Sequence, residues 1–185
     1  MNVAYCFDPS CPWTWRTSRW LCGVAPSRGL EIEWRSFSLL LLNDGEGPPK
    51  VHAAARALRV VEALRASGSP AVGRFYTEIG ARTHEVGAEL TDDLTRSAAA
   101  AAEVDPAPLD DPSWDGAVRA SHDDAFGSAG PDIGSPVLLV EGASRGVHGP
   151  ILASLPEDGA AVELWDTVVS LARTTSFYEL KRGRR

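Results

Sequence analysis

The feature that most constrains the fold is a short apolar strand followed by a cysteine–proline pair. Val3 to Phe7 is rich in residue types that favour strands, and Cys11 followed by Pro12 is typical of the start of a helix. Unpaired backbone N–H groups and the positive end of the helix dipole favour a thiolate at such a position. The residues leave two interpretations of Cys11 open, a reactive thiol and a buried structural cysteine.

Strand and helix patterns continue after Cys11 and predict a βαβ unit that ends near Phe37. Trp13, Trp20 and Val24 recur at helical spacing, with Trp15 on the other face, and Pro26 is expected to end this helix. Residues 30–37 largely alternate apolar and polar side chains, which is typical of a strand with one buried face. A βαβ unit implies parallel strands and a right-handed crossover.

From Asn43 to Gly130 the patterns predict helices without a strand. Two apolar stripes and the alanine-rich segment 94–104 indicate three helices, and Asp111-Pro112 is expected to open a fourth. We therefore predict an all-α insertion over residues 43–130, between segments 1–42 and 131–185. The stripes are Ala54, Leu58, Val61 and Leu64, then Val72, Phe75, Ile79 and Val86.

Strand character returns after residue 134. The continuous apolar run Val137–Val140 predicts a strand covered on both faces, and residues 145–148 predict a short strand beside it. Gly149-Pro150 is expected to open a helix, and a last helix is predicted near residues 158–172. The predicted order, β-α-β, helical insertion, β-β-α, belongs to the α/β class.

The three cysteines do not suggest a disulfide framework. Cys11 and Cys22 are 11 residues apart in the predicted helix, a rise of roughly 16 Å that no disulfide can bridge. Cys6 lies inside a predicted strand, where a cysteine is usually a small buried hydrophobic residue.

The absence of a predicted disulfide framework fits a reducing compartment, and no secretory signal is recognisable at the start of the chain. We therefore expect a cytoplasmic protein.

Composition and motifs argue against several classes of partner. The formal net charge of −7 disfavours nucleic acid or an anionic membrane, and no apolar run approaches the roughly 20 residues that span a bilayer. Four scattered histidines without ligand spacing predict no metal site. Without a glycine-rich phosphate loop, a tightly bound nucleotide is not expected. The sequence leaves open a monomer or a homodimer.

Eight strings along the chain carry a family resemblance. They are Phe7 to Trp15, Thr17 to Trp20, Ser38 to Asn43, Gly80 to His84, Ser121-His122, Gly134 to Pro136, Gly149-Pro150 and Phe177 to Arg182. They resemble one family, the cytoplasmic DsbA-like proteins that include the mycothiol-dependent nitroreductases. The resemblance spans nearly the whole chain and implies a thioredoxin fold with a helical insertion. It also implies thiol–disulfide chemistry with the small thiol mycothiol, and some members reduce nitroaromatic compounds.

The sequence departs from the family pattern Cys-Pro-Trp-Cys because Thr14 occupies the position of the second cysteine. In a dithiol site the second sulfur displaces the mixed disulfide formed by the first. Thr14 has no sulfur, so a mixed disulfide on Cys11 would need an external thiol to resolve it. We expect the Thr14 hydroxyl to donate a hydrogen bond to the Cys11 thiolate.

Residues around the cysteine have both a functional and a structural interpretation. Pro136 after Ser135 matches the family's cis-proline, which would turn the Ser135 backbone toward the substrate. Asp8 is either a turn former or an acid near the sulfur. Pro12 and Trp13 follow the nucleophile and are candidate substrate contacts, although Trp13 fits core packing equally well.

Three further candidates come from the family strings. Asn43 matches an asparagine at the mouth of the family's site, but Asn before Asp-Gly is also a common turn. His84 and His122 lie in predicted helices of the insertion. Each is a candidate for ligand binding or proton transfer, with capping or packing as the alternative.

These features favour an enzyme that uses Cys11 and a mycothiol-like thiol on small electrophilic or nitroaromatic substrates or on mixed disulfides, with the insertion as a lid. One alternative is a relative of the kappa-type glutathione transferases and hydroxychromene-carboxylate isomerases, in which a bound thiol is the nucleophile. The other is a redox-inactive thioredoxin-fold protein that binds a ligand.

Overall fold

A four-stranded sheet with the order β2-β1-β3-β4 forms the centre of the computed structural model, which describes residues 1–68 and 70–183. β1 pairs in parallel with β2, and Tyr5 is opposite Trp34. β1 and β4 each pair antiparallel with β3. The predicted βαβ and ββα halves are therefore confirmed. The strands are β1 Asn2–Phe7, β2 Glu31–Ser36, β3 Val137–Val140 and β4 Val147–His148.

Helices separate and follow the strands largely as predicted. α1 connects β1 to β2, α7 follows β4, and the described residues between β2 and β3 form five α-helices, of which the short α2 was not predicted. This is an α/β fold of the DsbA-like thioredoxin type with a helical insertion. The helices are α1 Pro12–Arg28, α2 Leu39–Leu42, α3 Pro49–Ala66, α4 Val72–Gly80, α5 Asp92–Ala101, α6 Asp115–Ala129 and α7 Asp158–Arg173.

The core surrounds β1, in which residues 3–7 are all buried. On α1, Trp20 packs against Trp165 of α7 with ring centroids 6.0 Å apart. Elsewhere in the same core, Phe7 stacks on Tyr76 of α4 at 4.0 Å. The sheet, the α1–α7 pair and the insertion therefore share one hydrophobic core, which fixes the end of β1 from several directions.

Two expectations based on proline are wrong. Pro26 lies inside α1, which continues to Arg28 and ends at Gly29 with a left-handed φ of 58°. A proline removes only its own N–H and disturbs one carbonyl a turn earlier, so the helix ends where glycine allows the αL cap. Gly149 and Pro150 do not open a helix. They are joined by a cis peptide bond, and residues 150–157 have no regular secondary structure.

Two details of the insertion also differ from the prediction. Val86 is 80% exposed rather than part of the second stripe, because the π-helical turn Ala81–Glu85 follows α4 and shifts the phase of its faces. Asp111 caps the short 3₁₀ turn Pro112–Trp114 by accepting from the Ser113 N–H. The fourth long helix of the insertion begins only afterwards, at Asp115.

Within the described residues, no helix has both the length and the apolar composition to cross a bilayer. Ser69, in the predicted loop between the first two long insertion helices, and the terminal Arg184 and Arg185 lie outside the described residues.

Gly80 should be required for the packing of α1 against α4. A Cβ at this position would lie 2.0 Å from Cε3 of Trp15, which is itself buried against Tyr76. We expect Gly80→Ala to lower the free energy of unfolding by about 1–3 kcal/mol, as overpacking does elsewhere. Urea unfolding measures the change.

Gly23→Ala is the matched control, because Gly23 lies exposed in α1, and a Cβ added there would have no atom within 4 Å. This variant should be neutral or stabilising, by up to about 1 kcal/mol. Equal effects of the two substitutions would show that the contact with Trp15 does not limit this position.

Candidate active site

Cys11 lies where the sequence predicts, at the N-cap of α1 with Pro12 as the first helical residue. Its backbone is extended, with φ −90° and ψ 114°, and its carbonyl accepts from the Trp15 N–H at 3.0 Å. The residue is 7% exposed. Its Sγ donates to the Ser135 carbonyl at 3.7 Å. The sulfur therefore lies between the start of α1 and the segment before β3.

The peptide bond between Ser135 and Pro136 is cis, as the family resemblance implies. Ser135 is almost fully buried, and its carbonyl is the one that faces Cys11. The Pro136 carbonyl accepts from the Gly149 N–H at 2.9 Å and from Nδ1 of His148 at 3.1 Å. The Ser135-Pro136 segment is thus tied both to the cysteine and to the end of β4.

Thr14 is fully buried, and its hydroxyl lies 2.8 Å from the Ser135 Oγ. Among the described residues this hydroxyl has Ser135, and not the Cys11 sulfur, as its hydrogen-bond partner. The Ser135 Oγ also accepts from the Asp8 N–H at 3.1 Å, and the Thr14 carbonyl accepts from the Tyr5 hydroxyl at 2.6 Å. The residue that replaces the second cysteine therefore joins α1 to the cis-proline segment.

Asp8 is fully buried and fixes the turn before Cys11. Its Oδ1 accepts from the Ser10 N–H at 2.8 Å and the Ser10 hydroxyl at 2.6 Å, while Oδ2 accepts from the Leu39 N–H at 2.7 Å. Burial raises the pKa of Asp8, although these hydrogen bonds oppose the shift. Asp8 therefore forms the predicted turn and also connects it to the first residue of α2.

The two candidate histidines occupy different environments. His84 Nε2 donates to the Pro9 carbonyl at 2.8 Å, and its ring stacks on Trp15 at 6.1 Å. His122 packs 4.6 Å from Phe37, and its Nδ1 accepts from the Ser38 N–H at 3.3 Å. Burial lowers the pKa of both imidazoles. His84 therefore contacts the cysteine loop directly, whereas His122 supports the start of α2 behind it.

A groove of about 490 Å³ lies beside the two neighbours of Cys11. Trp13 and Asn43 do not line it: Trp13 is half-buried with the Arg16 guanidinium 5.2 Å from its ring centroid, and Asn43 is exposed at the end of α2. The groove is lined by Ser10, Pro12, Pro48, Pro49, Lys50, Thr83, His84, Ala88, Glu89 and Leu90.

Lys50 is one of the groove residues that were not predicted from the sequence. It is one of only two lysines in the chain and stands at the second position of α3. A cation at the start of a helix opposes the helix dipole, and this local conflict is the signal that could have singled it out.

The other two cysteines are poor nucleophiles. Burial raises the pKa of the Cys6 thiol to about 12 and also raises the pKa of Cys22. All three cysteines are free. In residues 1–68 and 70–183, no cluster of three His, Cys, Asp or Glu side chains is placed to hold a metal ion.

Comparisons with known proteins show what this chain is similar to. A family model described as mycothiol-dependent nitroreductase Rv2466c matches residues 10–182. The chain is 32% identical over 195 residues to the Mycobacterium tuberculosis "Uncharacterized protein Rv2286c", an alignment that covers 99% of this chain and 82% of that protein.

Solved structures show the same fold at low sequence identity. The cytosolic disulfide reductase DsbM of Pseudomonas aeruginosa has a TM-score of 0.62 at 15% identity, covering 92% of this chain and 100% of that chain. The probable DsbA oxidoreductase SCO1869 of Streptomyces coelicolor has a TM-score of 0.58 at 19% identity, covering 98% and 93%.

The burial of Asp8 predicts a pH-dependent stability difference between the wild type and Asp8→Asn. Its pKa is raised in the folded protein above the unfolded value of about 3.9, so the folded state keeps a proton that the unfolded chain has lost. The wild-type free energy of unfolding, relative to the variant, should be largest near about pH 4. It should fall as the pH rises through the folded-state pKa.

Urea unfolding of both proteins between about pH 4 and pH 7 tests this dependence. Subtracting the variant's free energy of unfolding from that of the wild type removes the contributions of the histidines and other groups common to both proteins. A difference that instead grew with pH would show that the hydrogen bonds from Ser10 and Leu39 outweigh burial.

Proposed function

We propose that the protein is a monothiol oxidoreductase or thiol transferase, because the chain belongs to the Rv2466c-like family of mycothiol-dependent nitroreductases. Cys11 is the nucleophile, and a low-molecular-weight thiol, mycothiol in this family, is the co-substrate. The substrates are small electrophiles, nitroaromatic compounds or mixed disulfides. The reaction takes place in the cytoplasm and needs neither nucleic acid nor a membrane.

The position of the Cys11 sulfur is the observation that carries this proposal. It lies at the start of a 17-residue helix, 3.7 Å from the carbonyl before the cis-proline. Burial raises the pKa of the Cys6 and Cys22 thiols, which makes both poor nucleophiles. Cys11, at the start of a helix and beside the cis-proline, is therefore the cysteine whose position supports nucleophilic chemistry at sulfur.

The proposed cycle has two displacement steps. The Cys11 thiolate attacks one sulfur of a disulfide, forms a mixed disulfide and releases the other half as a thiolate. Because Thr14 has no sulfur, an external thiol then loses its proton to solvent and attacks the mixed disulfide. This attack releases the Cys11 thiolate and a new small disulfide.

The same thiols balance the reduction of a nitroaromatic substrate. Conversion of a nitro group to a nitroso group takes up two electrons and two protons and releases water. Two thiols, Cys11 and one co-substrate molecule, supply them when they join in a mixed disulfide. A second co-substrate thiol then regenerates Cys11 as in the cycle above.

We assign the surrounding residues to three roles. Pro12, Ser135, Pro136 and His84 contact or orient the bound molecule beside the sulfur, Trp13 and Asn43 lie at its periphery, and Asp8, Thr14 and His122 position the loop. The groove of about 490 Å³ lies within the usual size range of small-molecule sites. The insertion supplies one wall of it, through His84 and the start of α3.

A second candidate is a transferase or isomerase of the kappa type, in which a bound thiol performs the attack. The 7% exposure of Cys11 favours this alternative, since a largely covered protein sulfur has little access to an electrophile, whereas a bound thiol brings its own sulfur. Replacing Cys11 by serine separates the two candidates. The first mechanism should stop, whereas the second should largely survive.

Intact-mass analysis after incubation with mycothiol disulfide tests the proposal. The wild type should gain one mycothiol, Cys11→Ser should gain none, and Cys22→Ser should behave like the wild type. Cys22 is the matched control because it is half-buried in the same helix. Absence of the adduct in the wild type, or its persistence in Cys11→Ser, would refute a Cys11 mixed disulfide.

A further inference from the structure

Lys50 differs from the arginines of its own helix because it has no carboxylate partner. In α3, Arg56 pairs with Asp92, Arg59 with Asp115 and Arg65 with Glu62. No carboxylate of the described residues lies within 4.0 Å of the Lys50 ammonium, and the first turn of α3 contains no acidic residue. Lys50 is exposed, so its ammonium is accessible to a bound anion, and no carboxylate of the described residues competes for it.

The charge of Lys50 is directed at the candidate active site. Burial is the main cause of the pKa shifts of Asp8 and His84, and the Lys50 charge makes a smaller contribution to both, which places the ammonium near the cysteine loop. Lys50 also lines the groove together with Ser10 and Pro12, the residues that flank Cys11. A molecule attached to Cys11 can therefore extend along the groove toward the ammonium group.

Among the described residues that line the groove, Lys50 is the one lysine or arginine. Thr83 also lines the groove, but its hydroxyl oxygen is enclosed, so a molecule bound in the groove does not reach it. Glu89 is the acidic residue of the lining, and it is exposed and forms no ion pair with Lys50.

We propose that this groove is a subsite for the carboxylate of an acidic small molecule whose sulfur becomes joined to Cys11. Lys50 is the cation that binds the carboxylate. The inference rests on the proposed function, because it takes the mixed disulfide at Cys11 as the reaction and names the class of substrate.

The electrostatic reason for this arrangement is repulsion between like charges. An acidic disulfide approaches a thiolate on a chain whose formal net charge is −7, so both the local and the overall charge oppose the encounter. The Lys50 ammonium offsets this repulsion at the point of attack. The step itself is unchanged: the Cys11–sulfur bond forms, the substrate S–S bond breaks, and the released thiolate takes a proton from solvent.

Two disulfides that differ mainly in charge provide the test. Rates of Cys11 modification are measured by intact mass with dithiodipropionate, which carries two carboxylates, and with the neutral bis(hydroxyethyl) disulfide. The ratio of the two rates is the readout, so a general change in Cys11 reactivity cancels. Lys50→Gln should lower the ratio about fivefold, the effect of removing roughly 1 kcal/mol of attraction.

Two further variants make the comparison specific. Lys50→Arg keeps the charge and should retain most of the wild-type ratio. Lys181→Gln removes the other lysine of the chain, which is exposed in the C-terminal segment, and should leave the ratio unchanged.

The outcomes distinguish this inference from the proposed function. If Cys11 reacts with both disulfides and Lys50→Gln leaves the ratio unchanged, the acidic subsite is refuted while the mixed-disulfide mechanism stands. If mycothiol disulfide modifies Cys11 but neither of these two disulfides does, the subsite alone is refuted; if none of the three modifies Cys11, the mechanism fails and the subsite fails with it.

Discussion

The contacts of Ser135 are the constraint on which the site depends. Its hydroxyl accepts from the Asp8 N–H and pairs with the Thr14 hydroxyl, and its carbonyl accepts from the Cys11 thiol. These partners lie more than 120 residues away along the chain and belong to the turn and helix that follow β1. One buried serine therefore connects the segment before β3 to the turn and helix that follow β1, at the point where the Cys11 sulfur lies.

The helical insertion contributes to the same small region from the other side. Gly80 allows the α4 backbone to approach Trp15 closely, His84 donates to the Pro9 carbonyl, and Lys50 brings a positive charge to the groove. Packing, hydrogen bonding and electrostatics from the insertion thus converge on residues 8–15. This convergence explains how an inserted segment can determine which molecules reach a cysteine in the central fold.

Much of the fold and part of the site could be predicted from the sequence, because their signals are local or belong to family strings. The strand before Cys11, the N-cap with Pro12 and the cis bond at Pro136 are of this kind. The pairing of Thr14 with Ser135 could not be predicted, since it depends on a contact between distant segments. The position of Lys50 at a helix start marks that residue in the sequence, but not the groove that it lines. Pro26 and Pro150 misled because proline restricts the backbone locally, whereas the surrounding fold decides whether a helix continues or begins.

The central claim is that Thr14, in the position of the second cysteine, leaves Cys11 without a resolving sulfur. The lifetime of a mixed disulfide on Cys11 tests this claim most directly. Protein carrying one small thiol on Cys11 is freed of excess reagent and followed by intact mass, in the wild type and in Thr14→Cys. The account predicts that the wild-type adduct persists until an external thiol is added, whereas Thr14→Cys releases it and forms an internal disulfide. Spontaneous release at the same rate from the wild type would contradict the account.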